Sequence, residues 1–172
     1  MKITYEKAAS SDIECLYQLC KQLIDAYENI ECIDYERALR WVRKKLENSI
    51  DEYTSIYADE RKAGYYHFYR NGNGEYELDD LYVFSEFQNR GIGTAIIEKC
   101  CASVEEPVVL YVFIKNKKAV LLYEKLGFEI AETIKDSRYV MKRKIMIAAV
   151  AAAVIFAVIA ILSVLAQTPA LI

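Results

Sequence analysis

The stretch that decides the fold runs from Glu77 to Thr94 and has the sequence ELDDLYVFSEFQNRGIGT. Its apolar and aromatic segment Leu81–Phe84 predicts a β-strand, and the amphipathic residues that follow the stretch predict an α-helix. Gly91 and Gly93 lie at the junction, where the absence of Cβ atoms lets backbone N–H groups approach an anion closely. A helix start also presents unpaired N–H groups and the positive end of its dipole. The stretch therefore predicts a strand–turn–helix unit that binds a pyrophosphate.

Two motifs follow one another along the chain. Gln88–Gly93 (QNRGIG) comes after the strand segment Leu81–Val83, and Asn116–Phe128 has the sequence NKKAVLLYEKLGF. Together they resemble the GNAT superfamily of N-acetyltransferases, whose acetyl-CoA motif is Gln-x-x-Gly-x-Gly and whose second segment is Asn-x-x-Ala…Tyr-Glu-x-x-Gly-Phe. The resemblance covers about residues 1–144. It implies the GNAT-like (acyl-CoA N-acyltransferase) α/β fold, a mostly antiparallel mixed sheet with flanking helices in which the fourth and fifth strands splay apart and the pantetheine arm lies in the gap.

Length, charge and cysteine content limit the class of protein. The chain has 172 residues and a formal net charge of −3, which favours one globular domain and gives no support to nucleic-acid binding. Its five cysteines show no Cys-x-x-Cys spacing, so we expect reduced thiols in a cytosolic compartment. No metal site is expected, because His67 is the only histidine. The polar N-terminal residues predict no signal peptide, and a homodimer is left open.

Hydrophobic patterning predicts the first part of the domain. Residues 2–8 alternate and predict a strand, and Ser11 and Asp12 offer an N-cap for the helix that follows them. A second helix is expected after Asp34. Its inward residues are expected to be Ala38, Leu39, Trp41, Val42 and Leu46, and its basic residues Arg37, Arg40, Arg43, Lys44 and Lys45 are expected to form a solvated face.

The remaining elements complete an α/β domain. Residues 54–58 and 63–70 predict strands, and the turn residues 71–74 (NGNG) predict a hairpin into the next strand. The apolar run 108–114 predicts a strand covered on both faces, and residues 117–126 predict a helix that ends at Gly127. Residues 128–133 and 138–141 predict a final strand pair. This order of elements favours a mostly antiparallel sheet.

The resemblance implies which residues bind acetyl-CoA. The Val83 backbone N–H would polarise the acetyl oxygen, and the main chain of Leu81 and Val83 would pair with pantetheine like an added strand. The turn backbone would hold the pyrophosphate, Arg90 would add positive charge, and Asn116 would hydrogen-bond the pantetheine amides. The full set of predicted acetyl-CoA contacts is Leu81, Tyr82, Val83, Gln88, Asn89, Arg90, Gly91, Ile92, Gly93, Thr94 and Asn116.

A group of carboxylates precedes the glycine motif. An alkylamine has a pKa of about 10, so it must lose a proton before it attacks a thioester. Strand alternation places Glu75, Glu77 and Asp79 on one face and Asp80 on the other, unless a bulge shifts the phase. The resemblance favours Glu77 and Asp79 as the pair that binds and deprotonates the acceptor. The alternative is a solvated edge or a set of salt-bridge partners.

Tyr123 is the predicted general acid. It lies seven residues, or two helical turns, after Asn116 in the second motif. A phenol with a pKa near 10 is protonated at neutral pH and can give its proton to a leaving thiolate. By resemblance, Tyr123 would therefore protonate the sulfur of coenzyme A as it leaves.

The acceptor is the least determined part of the site. By resemblance, the loop between the first two helices, with Tyr27, Glu28, Glu31 and Asp34, could contact it, although a solvated loop is the stronger alternative. His67 could face the acceptor pocket, but a lone histidine on a strand is more often packed or half-exposed.

Residues 145–166 differ sharply in composition from the rest of the chain. They contain one polar residue, Ser163, and no charged residue. At about 1.5 Å per residue they would span roughly 33 Å as a helix, close to the thickness of the hydrocarbon core of a bilayer. The basic residues 142–144 precede them, so the positive-inside rule predicts a single-pass transmembrane helix with domain 1–144 in the cytoplasm and the short tail 167–172 outside. The alternative is a buried helix or a spurious or engineered extension.

These features predict an acetyl-CoA-dependent N-acetyltransferase that acts on a primary amine by direct attack in a ternary complex. One alternative is a peptide or protein acceptor, acetylated at its N-terminus or at a lysine. Another is a non-catalytic module that binds acyl-CoA. Tyr123 and the carboxylates favour the enzyme, because a sensor would need neither.

Overall fold

The computed structural model describes residues 1–143. Their strands are β1 (Ile3–Lys7), β2 (Tyr53–Ala58), β3 (Arg61–Arg70), β4 (Tyr76–Val83), β5 (Val108–Phe113), β6 (Glu129–Ile134) and β7 (Arg138–Arg143). They form one seven-stranded sheet in the order β1-β2-β3-β4-β5-β7-β6. Neighbouring strands are antiparallel, apart from the parallel pair β4 and β5. The predicted mixed, mostly antiparallel sheet is therefore confirmed.

The α-helices of residues 1–143 are α1 (Ile13–Tyr27), α2 (Tyr35–Ser49), α3 (Ile92–Ala102) and α4 (Lys117–Lys125). Helices α1 and α2 bury one apolar stripe each against one face of the sheet, because their buried residues recur at three- and four-residue spacing. Helices α3 and α4 pack on the opposite face. The buried residues of the first pair are Leu16, Cys20, Ile24, Leu39, Val42 and Leu46, and those of the second pair are Ile92, Ile96, Ile97, Cys100 and Val120.

The starts of α1 and α2 differ in how they are capped. Asp34 accepts a hydrogen bond from the Arg37 backbone N–H at 2.9 Å, as expected of an N-cap. The carboxylate of Asp12 instead accepts from the Ala9 N–H and is bonded by Lys62 at 2.6 Å and by the Tyr65 hydroxyl at 2.9 Å. Asp12 is therefore the N-cap residue of α1, as predicted, but its carboxylate bonds Ala9 and two residues of β3 in place of a backbone N–H of the helix.

Helix α2 also departs from the predicted pattern at two positions. Trp41 was expected to face inward but is 64% exposed, since the buried stripe runs through Leu39, Val42 and Leu46. Lys45 was expected on a solvated face, yet its side chain is 19% exposed and reaches the sheet. Lys45 lies three residues after Val42 and directly before Leu46, so it sits at the edge of the buried stripe.

The sheet opens between its two central strands. Strands β4 and β5 pair only where Tyr76–Leu78 lies beside Val108–Leu110. Beyond Leu78, β4 pairs with β3 alone, and beyond Leu110, β5 pairs with β7 alone. The splayed strands that the resemblance implied are therefore present, and they leave one edge of β4 without a strand partner within residues 1–143.

The predicted transmembrane segment 145–166 and the tail 167–172 lie outside the described residues. Among residues 1–143, no helix combines the length and apolar character needed to cross a membrane. The boundary proposed after residue 144 stays a prediction.

Candidate active site

A β-bulge brings the carboxylates of β4 onto one face. The register of the β3–β4 pair shifts between His67 and Phe68, so that Asp79 is the extra residue on β4. Both aspartates now reach Lys45 of α2, whose Nζ lies 2.6 Å from Asp79 Oδ2 and 2.8 Å from Asp80 Oδ2. Simple alternation would have placed Asp80 on the opposite face; the exception allowed in the prediction applies, because the bulge shifts the phase by one residue.

Asp79 also belongs to a polar chain that ends at the surface. Its Oδ2 lies 3.0 Å from Nδ1 of His67, and Nε2 of the same ring lies 3.1 Å from Oε2 of Glu52. His67 is 3% exposed and stacks between Tyr53 and Tyr69, with ring centroids 4.4 and 4.6 Å away. The prediction of a packed histidine is confirmed. Its two ring nitrogens hold Asp79 and Glu52 in fixed positions.

Asp80 is held by a second group of buried hydroxyls. The Tyr53 hydroxyl donates to Oδ2 at 2.5 Å and the Tyr82 hydroxyl to Oδ1 at 2.8 Å, while Cys20 Sγ lies 3.1 Å from the Tyr82 oxygen. Burial, reinforced by the negative charge of Asp80, raises the pKa of both tyrosines well above the usual value and that of the Cys20 thiol to about 12. These groups are therefore neutral at pH 7 and position the aspartate.

Glu77 and Asp79 differ in basicity. Burial would raise the pKa of Asp79, but the hydrogen bond with His67 and the charge of Lys45 outweigh it and lower the pKa. Burial and the neighbouring charge of Asp79 raise the pKa of Glu77 above its usual range. A carboxylate with a raised pKa is the stronger base. Of the two predicted bases, Glu77 fits proton removal better, and Asp79 fits the salt-bridge alternative.

Tyr123 lies on α4, close enough to Asp80 for the charge of that carboxylate to act on its phenol. Its ring packs edge-on against Phe128 with centroids 5.8 Å apart. Burial and, to a smaller extent, the charge of Asp80 raise the pKa of Tyr123 to about 12. The phenol is therefore protonated at neutral pH, as a general acid must be.

The predicted anion seat lies where β4 passes into α3. Gly91 is the N-cap of α3 and has φ +81°, a left-handed conformation that glycine adopts without strain. Gly93 lies in the first turn, and the nearest atom to a Cβ built there is Leu122 Cδ2 at 4.0 Å. The turn around Ile92 and Thr94 thus offers helix N-terminal N–H groups on an open surface. This arrangement fits a diphosphate.

The side chains of the turn mainly shape its backbone. Gln88 Nε2 donates to the Val83 carbonyl at 3.0 Å, and Asn89 adopts φ +59°. The Arg90 guanidinium lies 5.7 Å from the centre of the Phe87 ring. Arg90 is exposed and therefore free to approach a phosphate from outside the turn.

The other predicted cofactor contacts fall on both sides of the gap. Leu81 and Val83 pack against the α3 side of the sheet, whereas Tyr82 points toward α1 and α2 and is buried there. Asn116 is the N-cap of α4, and its side-chain oxygen accepts from the Ala119 N–H at 3.2 Å. The cap uses the Asn116 oxygen and leaves its amide N–H groups to bind a ligand.

The sequence did not indicate that two other residues, Lys45 and Tyr53, belong to the site. Both bond Asp80 from elements about 30 residues away in sequence, so no local pattern links them to it. The position of Lys45 beside the apolar stripe of α2 is the one local signal that could have revealed it.

Of the loop residues considered for acceptor contact, Asp34 caps α2 and Glu31 is exposed. Glu28 is buried and bonded to the β6–β7 hairpin, and the Tyr27 ring lies 6.2 Å from that of Phe113. The solvated-loop alternative is therefore wrong for Glu28, which has a fixed set of partners.

Comparison with known proteins identifies the same fold. A family model described as "Acetyltransferase (GNAT) family" matches residues 16–128. Among curated proteins, an uncharacterized N-acetyltransferase from Methanocaldococcus jannaschii is 37% identical over 71 residues, which is 39% of this chain and 31% of that protein. The match thus spans less than a third of the relative's length.

Solved structures resemble most of the chain. The PaiA N-acetyltransferase from Thermoplasma acidophilum in complex with coenzyme A has a TM-score of 0.63 and 22% identity, covering 84% of this chain and 100% of that one. Naa50 from Arabidopsis thaliana in complex with the bisubstrate analogue CoA-Ac-MVNAL has a TM-score of 0.57 and 17% identity, again covering 84% and 100%. At these identities the likeness is one of fold.

Proposed function

Because the chain belongs to the GNAT family of acetyltransferases, we propose that it transfers the acetyl group of acetyl-CoA to a primary amine by direct attack in a ternary complex. One observation carries this proposal: β4 and β5 separate after three residue pairs, so within residues 1–143 the edge of β4 that leads to the glycine turn has no strand partner, and Glu77 lies in the middle one of those three pairs. An extended cofactor arm can pair with the unpartnered edge of β4, since strand addition satisfies its backbone groups.

The chain binds and orients the cofactor through main-chain groups. The N–H groups at the start of α3 would hold the diphosphate, with Arg90 adding charge, and the β4 edge at Leu81 and Val83 would hold the pantetheine arm. Asn116 would donate its side-chain N–H groups to the same arm. When bound, acetyl-CoA supplies an activated acetyl thioester. The Val83 N–H would donate to the oxygen of that acetyl group and stabilise developing negative charge.

Glu77 would take the proton of the incoming ammonium. Its raised pKa brings its basicity closer to that of the amine than an ordinary carboxylate, and its half-buried position limits competition from water. Asp79, held charged by Lys45 and His67, would keep the amine near Glu77 by charge attraction. Tyr123 would protonate the sulfur that leaves, because its phenol is protonated and lies within the influence of the Asp80 charge.

The test is release of free coenzyme A thiol on mixing the purified chain, acetyl-CoA and a panel of amines that differ in size and charge. Cys15 and Cys32 are exposed and accessible to thiol reagents, so each assay needs one control without amine and one without acetyl-CoA. Release that depends on both substrates is the expected result. Absence of release with every amine, together with no heat of binding to acetyl-CoA in calorimetry, would disprove the proposal.

Two other functions remain to be distinguished by the same assay. A peptide acceptor is the second candidate, because a bisubstrate analogue that carries a peptide is named for one structure of this fold. A non-catalytic acyl-CoA-binding module would bind acetyl-CoA in calorimetry and release no thiol with any amine or peptide. The basicity of Glu77 and the protonated Tyr123 support the enzyme over this module.

Residues 145–166 support a further part of the proposal, that the chain is anchored in a membrane with its catalytic domain on the cytoplasmic side. The support is the sequence itself, which contains no charged residue over this length and follows a basic cluster. The expressed chain should stay in the membrane pellet after alkaline carbonate extraction, and a variant that ends at residue 144 should not. Full-length protein in the supernatant would contradict the anchor.

A further inference from the structure

The outer face of α2 carries a tryptophan among basic residues. Arg37, Trp41 and Lys44 follow one another at spacings of four and three, which places them on one side of the helix, and Arg40 lies beside them. All four side chains are exposed, Trp41 to 64%. Among residues 1–143, none of the three basic side chains lies in a salt bridge. These four residues are called the α2 outer face below.

The sequence of α2 concentrates positive charge on an acidic chain. Tyr35–Ser49 contains five basic and two acidic residues, a net charge of +3, whereas the whole chain has −3. The two acidic residues, Glu36 and Glu47, lie on the same side of α2 as Arg43, which pairs with Glu14 of α1 at 2.8 Å. They therefore border the α2 outer face at its α1 edge and leave the side of Trp41 basic.

Charge and the end of the described chain indicate what this face meets. Segment 145–166 contains no charged residue and is long enough to cross a bilayer as a helix. Strand β7 ends at Arg143, two residues before this segment. A domain joined so closely to a membrane span stays beside the headgroup layer. There, lysine and arginine attract anionic lipids, and a tryptophan ring favours the level of the headgroups.

Helix α2 ends toward the end of the sheet at which the described chain stops. That end is marked by a row of paired residues, Arg70, Tyr76, Val108 and Arg143. Strand β2 starts toward it at Tyr53, which pairs with His67, and α2 ends at Ser49, just before β2. At 1.5 Å per residue, Lys44 and Trp41 lie only about 8 and 12 Å from the end of α2. The outer face is therefore on the half of α2 nearest the predicted anchor.

We propose that the α2 outer face docks on a bilayer surface that contains anionic phospholipids. The proposal rests on the membrane anchor proposed above and does not depend on acetyl transfer. The three basic side chains would contact headgroup phosphates, and the Trp41 ring would lie among the headgroups. Lys45, which bonds Asp79, has its Nζ 5.7 Å from the centre of the Trp41 ring, so docking would hold the candidate active site next to the lipid surface.

The test uses the intrinsic fluorescence of Trp41, which is the single tryptophan of the chain. The full chain is placed in lipid nanodiscs of phosphatidylcholine alone or of phosphatidylcholine with phosphatidylglycerol. With phosphatidylglycerol, the emission should shift to shorter wavelength and acrylamide quenching should fall about twofold, since the ring leaves water for the headgroup layer. Both changes should weaken in about 1 M NaCl, where the Debye length is about 3 Å.

Two triple variants separate this face from general charge. The test variant neutralises the basic residues of the outer face by Arg37→Gln, Arg40→Gln and Lys44→Gln, and it should lose the response to phosphatidylglycerol. The matched control should keep the response, because it removes the same charge from α4 on the opposite face of the sheet, by Lys117→Gln, Lys118→Gln and Lys125→Gln. Thermal melting checks that both variants are folded.

Equal emission and quenching in the two lipids overturns the proposal, as does an equal loss of response in the two triple variants. A response of Trp41 to RNA but not to phosphatidylglycerol would also overturn it and assign the face to nucleic acid. If carbonate extraction shows that the chain has no anchor, vesicles of the same two lipid compositions are added to the soluble chain, and the same comparison decides. Failure of the anchor and failure of the docking face are thus distinguished.

Discussion

At the scale of single residues, substitutions of Glu77 and of Asp79 should change the pH dependence of kcat/KM in different ways. Glu77→Gln should lower kcat/KM about 100-fold or more, as expected when a general base is lost, and should remove the acid limb of the pH–rate profile. In the wild type that limb should lie above pH 4.5, because burial and Asp79 raise the pKa of Glu77 from that ordinary value. Asp79→Asn should keep the limb but shift it to lower pH, since one of the two raising effects is lost. A limb that survives Glu77→Gln unchanged would assign the base elsewhere.

Tyr123 should affect turnover far more than binding. Tyr123→Phe keeps the ring that packs on Phe128 and removes only the hydroxyl, so folding should be preserved. The loss of a general acid should lower kcat by about 100-fold, while the affinity for acetyl-CoA in calorimetry should change little. Leu121→Ala, at a 56% exposed position of the same helix, serves as the control. Unchanged turnover at saturating substrates would remove Tyr123 from the mechanism.

At the scale of elements, the turn between β4 and α3 offers a matched pair of substitutions. Gly91→Ala forces a side chain into the left-handed region and should cost about 1–2 kcal/mol of stability, with weaker binding of acetyl-CoA. Gly93 does not have a positive φ, and a Cβ added there would meet no close neighbour. Gly93→Ala should therefore leave the melting temperature nearly unchanged. Weaker acetyl-CoA binding by Gly93→Ala at full stability would show that the cofactor approaches this backbone. Full affinity in both variants would contradict the anion seat.

The elements themselves were largely predictable from sequence. Periodicity and turn chemistry are local, so the β6–β7 pair, the two long helices and the end of α4 at Gly127 agree with their predictions. The bulge at Asp79 was not predictable, because it depends on how β3 and β4 register. The role of Lys45 was not predictable for a related reason. Its partners lie 34 and 35 positions away in sequence, and only the packing of α2 on the sheet brings them together.

At the scale of the whole molecule, buried carboxylates should make the fold sensitive to acid. Asp12, Glu28 and Asp79 all have pKa values lowered in the folded state, because their hydrogen bonds and cationic partners outweigh burial. Such groups stabilise the fold above their unfolded pKa values, and the stabilisation is lost as pH falls through about 4 and below. The urea midpoint should therefore drop between pH 6 and pH 3. The Asp12→Asn variant should start from a lower urea midpoint and show a smaller drop. A drop equal to that of the wild type would show that Asp12 does not contribute to the acid sensitivity.

The short parallel pairing of β4 and β5 has a mechanical consequence. Within residues 1–143, three residue pairs form the hydrogen-bonded seam between a four-stranded half sheet, β1 to β4, and a three-stranded half, β5 to β7. A molecule bound along the open part of this seam contacts both halves of the sheet. It should therefore reduce the motion of one half relative to the other. Amide hydrogen exchange in Tyr76–Leu78 and Val108–Leu110 should therefore slow more on adding acetyl-CoA than exchange in β2. Uniform slowing across the sheet would instead mean that the cofactor acts only through overall stability.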